Sequence, residues 1–411
     1  MPSTPDINTG GFQFGSTASY DGGSIVERSI ELNEPVIYVS MNYRLSAFGF
    51  LASQEIREAG LGNLGLQDQR QALRWVQKYI ASFGGDPMKV TIWGESAGAI
   101  SVTMQMLAFD GNTEGLFRAA FMESGGPWPA GDITHGQKYY DQVVGQTGCQ
   151  GTADTLACLR TVPFSVLKAA ADNLPSLVGF QSLAAPGEPR VDGVFLSDSP
   201  QRLVQQGKVP PIPFVTGNCE DEGTVFGLQS LNVTTDSQFR NYIKTVFIPD
   251  ISDADLNTLS GLYPQDPIER SPYNTGFLYT LTPQFKRIAS LLGDMTLVAP
   301  RRFLLQQRSD KQSSWSFLSS RLKTTPILGS FHSSDLLQAY GPSELRDYLI
   351  NFVNHLDPNG QRLPSWPKYT TASPRLMTFT DNVFIPTLLS LDNFRAQAIQ
   401  FVTNLLLQHP F

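Results

Sequence analysis

The sequence predicts an α/β fold with a mostly parallel central sheet, helices on both faces and helical insertions. Three observations carry this. Short β-branched runs alternate with amphipathic helical patterns through the first third of the chain, the signature of strands that pair in parallel and are covered on both faces. A Gly-Glu-Ser-Ala-Gly stretch stands where a strand-like run gives way to a helical one, in "KVTIWGESAGAIS". The 411 residues, 41% apolar and 11% aromatic, suffice for a large core. The 28 prolines and 35 glycines are scattered, with no repeat or linker, so residues 1–411 read as one domain.

Each element follows from its pattern. "GSIVERSIELN" reads as a short helix and "PVIYVSMNYR" as a β-branched buried strand. "LQDQRQALRWVQKYIASF" puts Leu66, Leu73, Val76 and Ile80 on one helical face, and "GGDP" stops it. Then come the strand "KVTIW", the Ser96 turn, a helix through "ISVTMQML" and the strand "RAAFMES". Further on, "IPFVTGN", "SSWSFLS" and "RLMTFTD" are candidate strands of the same sheet. Helical insertions between them are expected to wall a substrate pocket above the C-terminal strand ends.

A formal charge of -7 without a Lys/Arg-rich block excludes the electrostatic footprint of nucleic acid or anionic membrane partners. No apolar run reaches the ~18 to 20 residues of a membrane-spanning helix, and "MPSTPDINTGGFQFG" lacks a signal peptide's apolar core. Of the three cysteines, Cys149 and Cys158 are near enough to bridge a short loop, leaving Cys219 over. Asn232-Val233-Thr234 is a glycosylation sequon. Both features point to the secretory route and an extracellular protein.

A serine between glycines at a strand-to-helix turn is how α/β hydrolases mount a nucleophile. Ser96 then needs a histidine to take its proton and a carboxylate to orient that histidine. Among four histidines, His135, His355 and His409 lie in a polar loop, near a helix end and near the C-terminus, whereas His332 follows the apolar run "PILGSF". For the acid, "IPFVTGNCEDEGTVFG" carries a strand into Glu220, Asp221 and Glu222. The order 96, 222, 332 is nucleophile, acid, histidine, the chain order of α/β hydrolases. The oxyanion of an acyl-transfer intermediate needs backbone N–H groups, one from Ala97 and others from the glycine-rich "TGGFQFGS". "GLGNLG" matches a dinucleotide-binding fingerprint by letter, but it follows a helical segment, "SQEIREA", instead of a strand. No cofactor and no metal set is expected.

"NYRLSAFGFL", "GNLGLQDQRQALRWVQKYIASFGGDP", "VTIWGESAGA", "CEDEGTVFG" and "GSFHSSDL" closely resemble the type-B carboxylesterase/lipase family, which includes fungal lipases and cholinesterases. "SLNVTTD" and "LTPQFKRI" are similar to fungal lipases of the Candida rugosa type. The resemblance runs from about residue 10 to the C-terminus. It implies an α/β-hydrolase fold, with Ser96 as nucleophile, Glu222 as acid, His332 as base, and Gly10, Gly11 and Ala97 as oxyanion donors. It further implies a Cys149–Cys158 disulfide and a glycan on Asn232. The implied activity is hydrolysis of apolar carboxylic esters through an acyl-enzyme, with contact to a lipid interface. A non-catalytic binding protein on the same fold is the rival. "TVFGL" and "SLVGFQSL" supply apolar side chains suited to an acyl chain. Two departures stand out: Thr9-Gly10-Gly11 replaces three glycines, and the family's N-terminal strands and lipase lid have no counterpart. "MPSTPDINT" lacks a central strand's apolar run, so an N-terminally truncated sheet is expected, without the strand that anchors the oxyanion loop, and with weak activity and poor solubility.

Overall fold

The computed structural model describes residues 1–7 and 10–411. Its centre is an eight-stranded sheet. The strands are β1 (Ser3–Ile7), β2 (Ile37–Met41), β3 (Thr91–Glu95), β4 (Ala119–Glu123), β5 (Phe214–Cys219), β6 (Ser314–Ser319), β7 (Arg375–Phe379) and β8 (Thr387–Leu391). They lie in the order β2-β1-β3-β4-β5-β6-β7-β8. All neighbours are parallel except β7 and β8, which form an antiparallel pair. Two-sided burial follows from the alternation within strands: on β4, Ala120 and Met122 join one apolar cluster while Ala119 and Phe121 join the other. Helix Leu64–Tyr79 packs Leu66, Leu73 and Val76 into the first cluster. Helix Glu344–His355 packs Tyr348, Phe352 and Val353 into the second.

One part of the N-terminal expectation is overturned: the strand before the glycine loop is present. Ser3–Ile7 is a strand, buried throughout, and lies inside the sheet between β2 and β3. It pairs with β2 from Ser3 to Ile7 and with β3 at Asp6 and Ile7, with a further bridge from Ser3 to Val90. Those contacts on the β3 side fall on either side of Pro5, whose missing N–H would otherwise interrupt a ladder. Its polar character is accommodated by its neighbours: the Asp6 carboxylate accepts hydrogen bonds from the Tyr38 and Tyr340 hydroxyls, both at 2.9 Å. Two ladders and these partners outweigh a poor strand composition, as tertiary context commonly does. Ser3 Oγ and Thr4 Oγ1 remain buried with no hydrogen-bond partner among the described residues, which is the local sign of that compromise. A second correction concerns "PVIYVSMNYR": Ile37 to Ser40 are only half-buried, because β2 is the edge of the sheet.

Since β1, β3, β5 and β6 run parallel, the segments leaving their C-terminal ends meet on one side of the sheet. Those segments carry Gly10 and Gly11, Ser96, Glu222 and His332. Among the described residues no helix is long and apolar enough to cross a membrane.

Candidate active site

The turn after β3 is strained in a way that exposes a hydroxyl. Ser96 has φ 55° and ψ -122°, a conformation L-residues rarely adopt, and helix Ala97–Gly111 begins at the next residue. The turn is held by Ser96 N–H donating to the Glu123 carbonyl at 2.8 Å. The glycines are needed for space: a Cβ on Gly94 would lie 2.5 Å from the backbone carbon of Gly98, so any side chain there would push strand and helix apart.

With the imidazole neutral, the Ser96 hydroxyl donates to His332 Nε2 at 2.7 Å, and His332 Nδ1–H donates to a Glu222 carboxylate oxygen, also at 2.7 Å. The other Glu222 oxygen accepts from Asn218 Nδ2 at 3.0 Å and from the Cys219 backbone N–H at 2.8 Å. Both Glu222 oxygens are thus directed, and the His332 tautomer with its proton on Nδ1 follows. The Phe226 ring lies 5.0 Å from the imidazole and covers it.

The three neighbouring acids are separated by their partners. Asp221 accepts from Lys323 Nζ at 2.6 Å, Tyr273 N–H at 2.7 Å, Ser330 N–H at 2.9 Å and Ser271 Oγ at 3.1 Å. Its own N–H donates to the Ser330 carbonyl, so it ties the acid loop to the histidine loop. Glu220 faces Asn274 and Lys323. Of the three, Glu222 is the one that meets His332. His355 pairs with Glu34, and His135 lies beside the Phe411 carbonyl.

Gly11 and Ala97 line the same pocket as Ser96 and His332; Gly10 is not part of that lining. Gly10 and Gly11 have φ of 114° and 58°, and a Cβ on Gly10 would sit 2.0 Å from the Phe14 carbonyl oxygen, so glycine is required there. Thr9 lies outside the described residues. The pocket is a narrow cavity of about 20 Å³, walled by Phe12, Ile100, Trp128, Leu183, Phe226 and Leu297. A larger cavity, beside Arg190 and Phe411, contains none of Ser96, Glu222 or His332.

Buried acids surround the imidazole, and sequence reading missed them. Glu95 Oε1 is 3.5 Å from His332 Nε2 and accepts from Ser333 Oγ at 2.7 Å. Burial alone would lower the His332 pKa, but the charges of Glu95, Glu222 and Asp335 outweigh it and raise it to about 9. Burial, with Glu95 and Glu222 nearby, pushes Asp335 up to about 8 and, with Asp335 nearby, holds Glu123 well above the usual carboxylate range. The available signals were slight: Glu95 is the residue before the serine in Gly-Glu-Ser-Ala-Gly, and Asp335 follows His332 by three positions in "HSSD".

Elsewhere, Cys149 and Cys158 form a disulfide, and Cys219 is free and buried. "GLGNLG" follows helix Gln54–Glu58 and runs into the first turn of helix Leu64–Tyr79, with no strand directly before it.

The family model described as carboxylesterase family matches residues 7–401. The chain is 43% identical to Lipase 4 of Diutina rugosa over 376 residues, covering 89% of this chain and 68% of that protein. It is 42% identical to Secreted lipase 1 of Botryotinia fuckeliana, covering 96% of this chain and 71% of that one. The crystal structure of Aspergillus niger EstA superposes with a TM-score of 0.85 at 25% identity, covering 100% of this chain and 81% of that one. The mostly parallel sheet with its helical layers is the α/β-hydrolase fold. On these matches the chain belongs to the carboxylesterase family and is a carboxylic-ester hydrolase.

Proposed function

We propose that the protein hydrolyses apolar carboxylic esters through an acyl-enzyme on Ser96. His332 Nε2 takes the Ser96 proton as the oxygen attacks the ester carbonyl, and Glu222 orients the imidazole and stabilises its charge. Backbone N–H groups of Gly10, Gly11 and Ala97 hold the oxyanion. The tetrahedral intermediate collapses as His332 protonates the leaving alcohol. Water, activated by His332 in turn, then attacks the acyl-enzyme and releases the acid. The continuous chain of 2.7 Å hydrogen bonds from Ser96 through His332 to Glu222 is the observation that carries this reading.

The apolar pocket wall favours an apolar acyl or alcohol group, in keeping with relatives named lipases. Exposed Phe14 beside the glycine loop, and exposed Val178 and Phe180 just past the pocket residue Leu177, supply apolar surface for contact with a lipid interface. Extracellular residence is supported by the disulfide, by the exposed sequon at Asn232 and by relatives named as secreted. Expression in a secretory host should give an endoglycosidase-sensitive band shift that Asn232→Gln removes.

Labelling with a fluorophosphonate ester tests the catalytic reading. Wild type should be modified and Ser96→Ala should not. A folded wild type that stays unlabelled would favour the non-catalytic binding protein instead.

A further inference from the structure

Within the apolar pocket one lining residue is out of character. Glu188 is 6% exposed and lies among Phe12, Trp128, Leu183 and Phe226 on the wall that also holds Ser96 and His332. Its Oε2 atom is buried with no hydrogen-bond partner among the described residues. Arg190, two residues on, does not pair with it: that guanidinium donates to the Phe411 carbonyl. A carboxyl oxygen buried there without a partner costs folding free energy, and a ligand group that hydrogen-bonds it would recover that cost.

We propose that Glu188 is a specificity-determining residue that hydrogen-bonds a free hydroxyl group carried by the ester substrate within the active-site pocket. The inference rests on the reading of Ser96 as the nucleophile. Burial raises the Glu188 pKa to about 8, against the opposing charge of Arg190, so the neutral acid prevails near neutral pH. A neutral carboxyl offers one O–H donor and a carbonyl acceptor, which a substrate hydroxyl can engage in either sense. A hydrocarbon group in the same place would leave the acid unpaired, and a site built around a hydrogen bond rejects an analogue that lacks the matching group. The hydroxyl can belong to the acyl part, as in a hydroxyalkanoate, or to the alcohol part, as in a monoester of a diol or triol.

Two matched series separate these sources. The first compares nitrophenyl esters of an alkanoic acid with and without a chain hydroxyl; the second compares butyl and hydroxybutyl esters of one acid. In one series wild type should prefer the hydroxyl-bearing member by about tenfold in kcat/KM. Glu188→Leu should erase that preference and speed the hydroxyl-free ester, while Glu188→Gln, which keeps a donor and an acceptor, should retain it. Thermal melts of both variants identify a change that comes from misfolding, and Glu188→Gln alone then carries the test. No preference in either series, or a preference that survives Glu188→Leu, overturns the inference. So does a stronger preference for a quaternary-ammonium ester, which would make Glu188 an ionised anchor. Hydrolysis of the hydroxyl-free nitrophenyl ester that is lost in Ser96→Ala keeps the catalytic reading standing whichever way these ratios fall.

Discussion

Replacing Glu222 by glutamine exchanges one oxygen for an amide nitrogen and should disable the imidazole. The Glu222 oxygen facing Asn218 Nδ2 and the Cys219 N–H must remain an acceptor, since both of those groups are donors. The substituted amide would therefore keep its carbonyl on that side and turn its NH₂ toward His332 Nδ1. The opposite orientation loses two hydrogen bonds at roughly 1 to 1.5 kcal/mol each, so the productive arrangement falls to about one part in 10². In the favoured arrangement Nδ1 must accept, the ring proton moves to Nε2, and the Ser96 hydroxyl has no base. Removing the carboxylate's charge beside the imidazolium contributes roughly another 10², for a loss of about 10⁴ in kcat. Steady-state hydrolysis of a nitrophenyl ester measures it. Asp221→Asn is the control: its partners are Lys323, Tyr273, Ser330 and Ser271, so it should lower stability by about 3 kcal/mol in urea titrations and kcat by less than about tenfold. A Glu222→Gln enzyme keeping more than about a tenth of wild-type kcat, or an Asp221→Asn enzyme losing more than the Glu222 variant, would refute the reasoning.

Three other expectations follow from the same geometry. With His332 raised to about 9 by Glu95, Glu222 and Asp335 against burial, kcat/KM should climb with pH toward 9 as the imidazole loses its proton. Glu95→Gln should move that limb to lower pH, and a limb near 6.5 that the substitution leaves in place would contradict it. The stability linkage has the opposite sign: the folded pKa exceeds the unfolded one, so His332's contribution is complete below about 6.5 and disappears as pH rises through about 9, which denaturant midpoints across that range would register. Gly94→Ala should abolish serine labelling and lower the melting temperature, because its Cβ would meet Gly98 backbone at 2.5 Å; a fully labelled, equally stable variant would show that the turn can yield.

Features fixed by near neighbours in the chain were readable without a structure. The helix carrying Leu66, Leu73 and Val76 declares its buried face by its own period, and the Ser96 turn declares itself because glycine on either side is a short-range steric requirement. The tertiary structure decided what depends on distant partners. Ser3–Ile7 is a strand because β2 and β3 flank it and two tyrosines hold Asp6, none of which its own composition announces. Ser96 and His332 are 236 residues apart, and which acid meets that histidine depends on Lys323 and Ser330 engaging Asp221 so that Glu222 turns inward. Glu95, Asp335 and Glu188 read in sequence as ordinary charged residues. Only burial beside His332 and the pocket makes their charge matter, because desolvation and close carboxylates are properties of a packed interior, which local chain patterns do not encode.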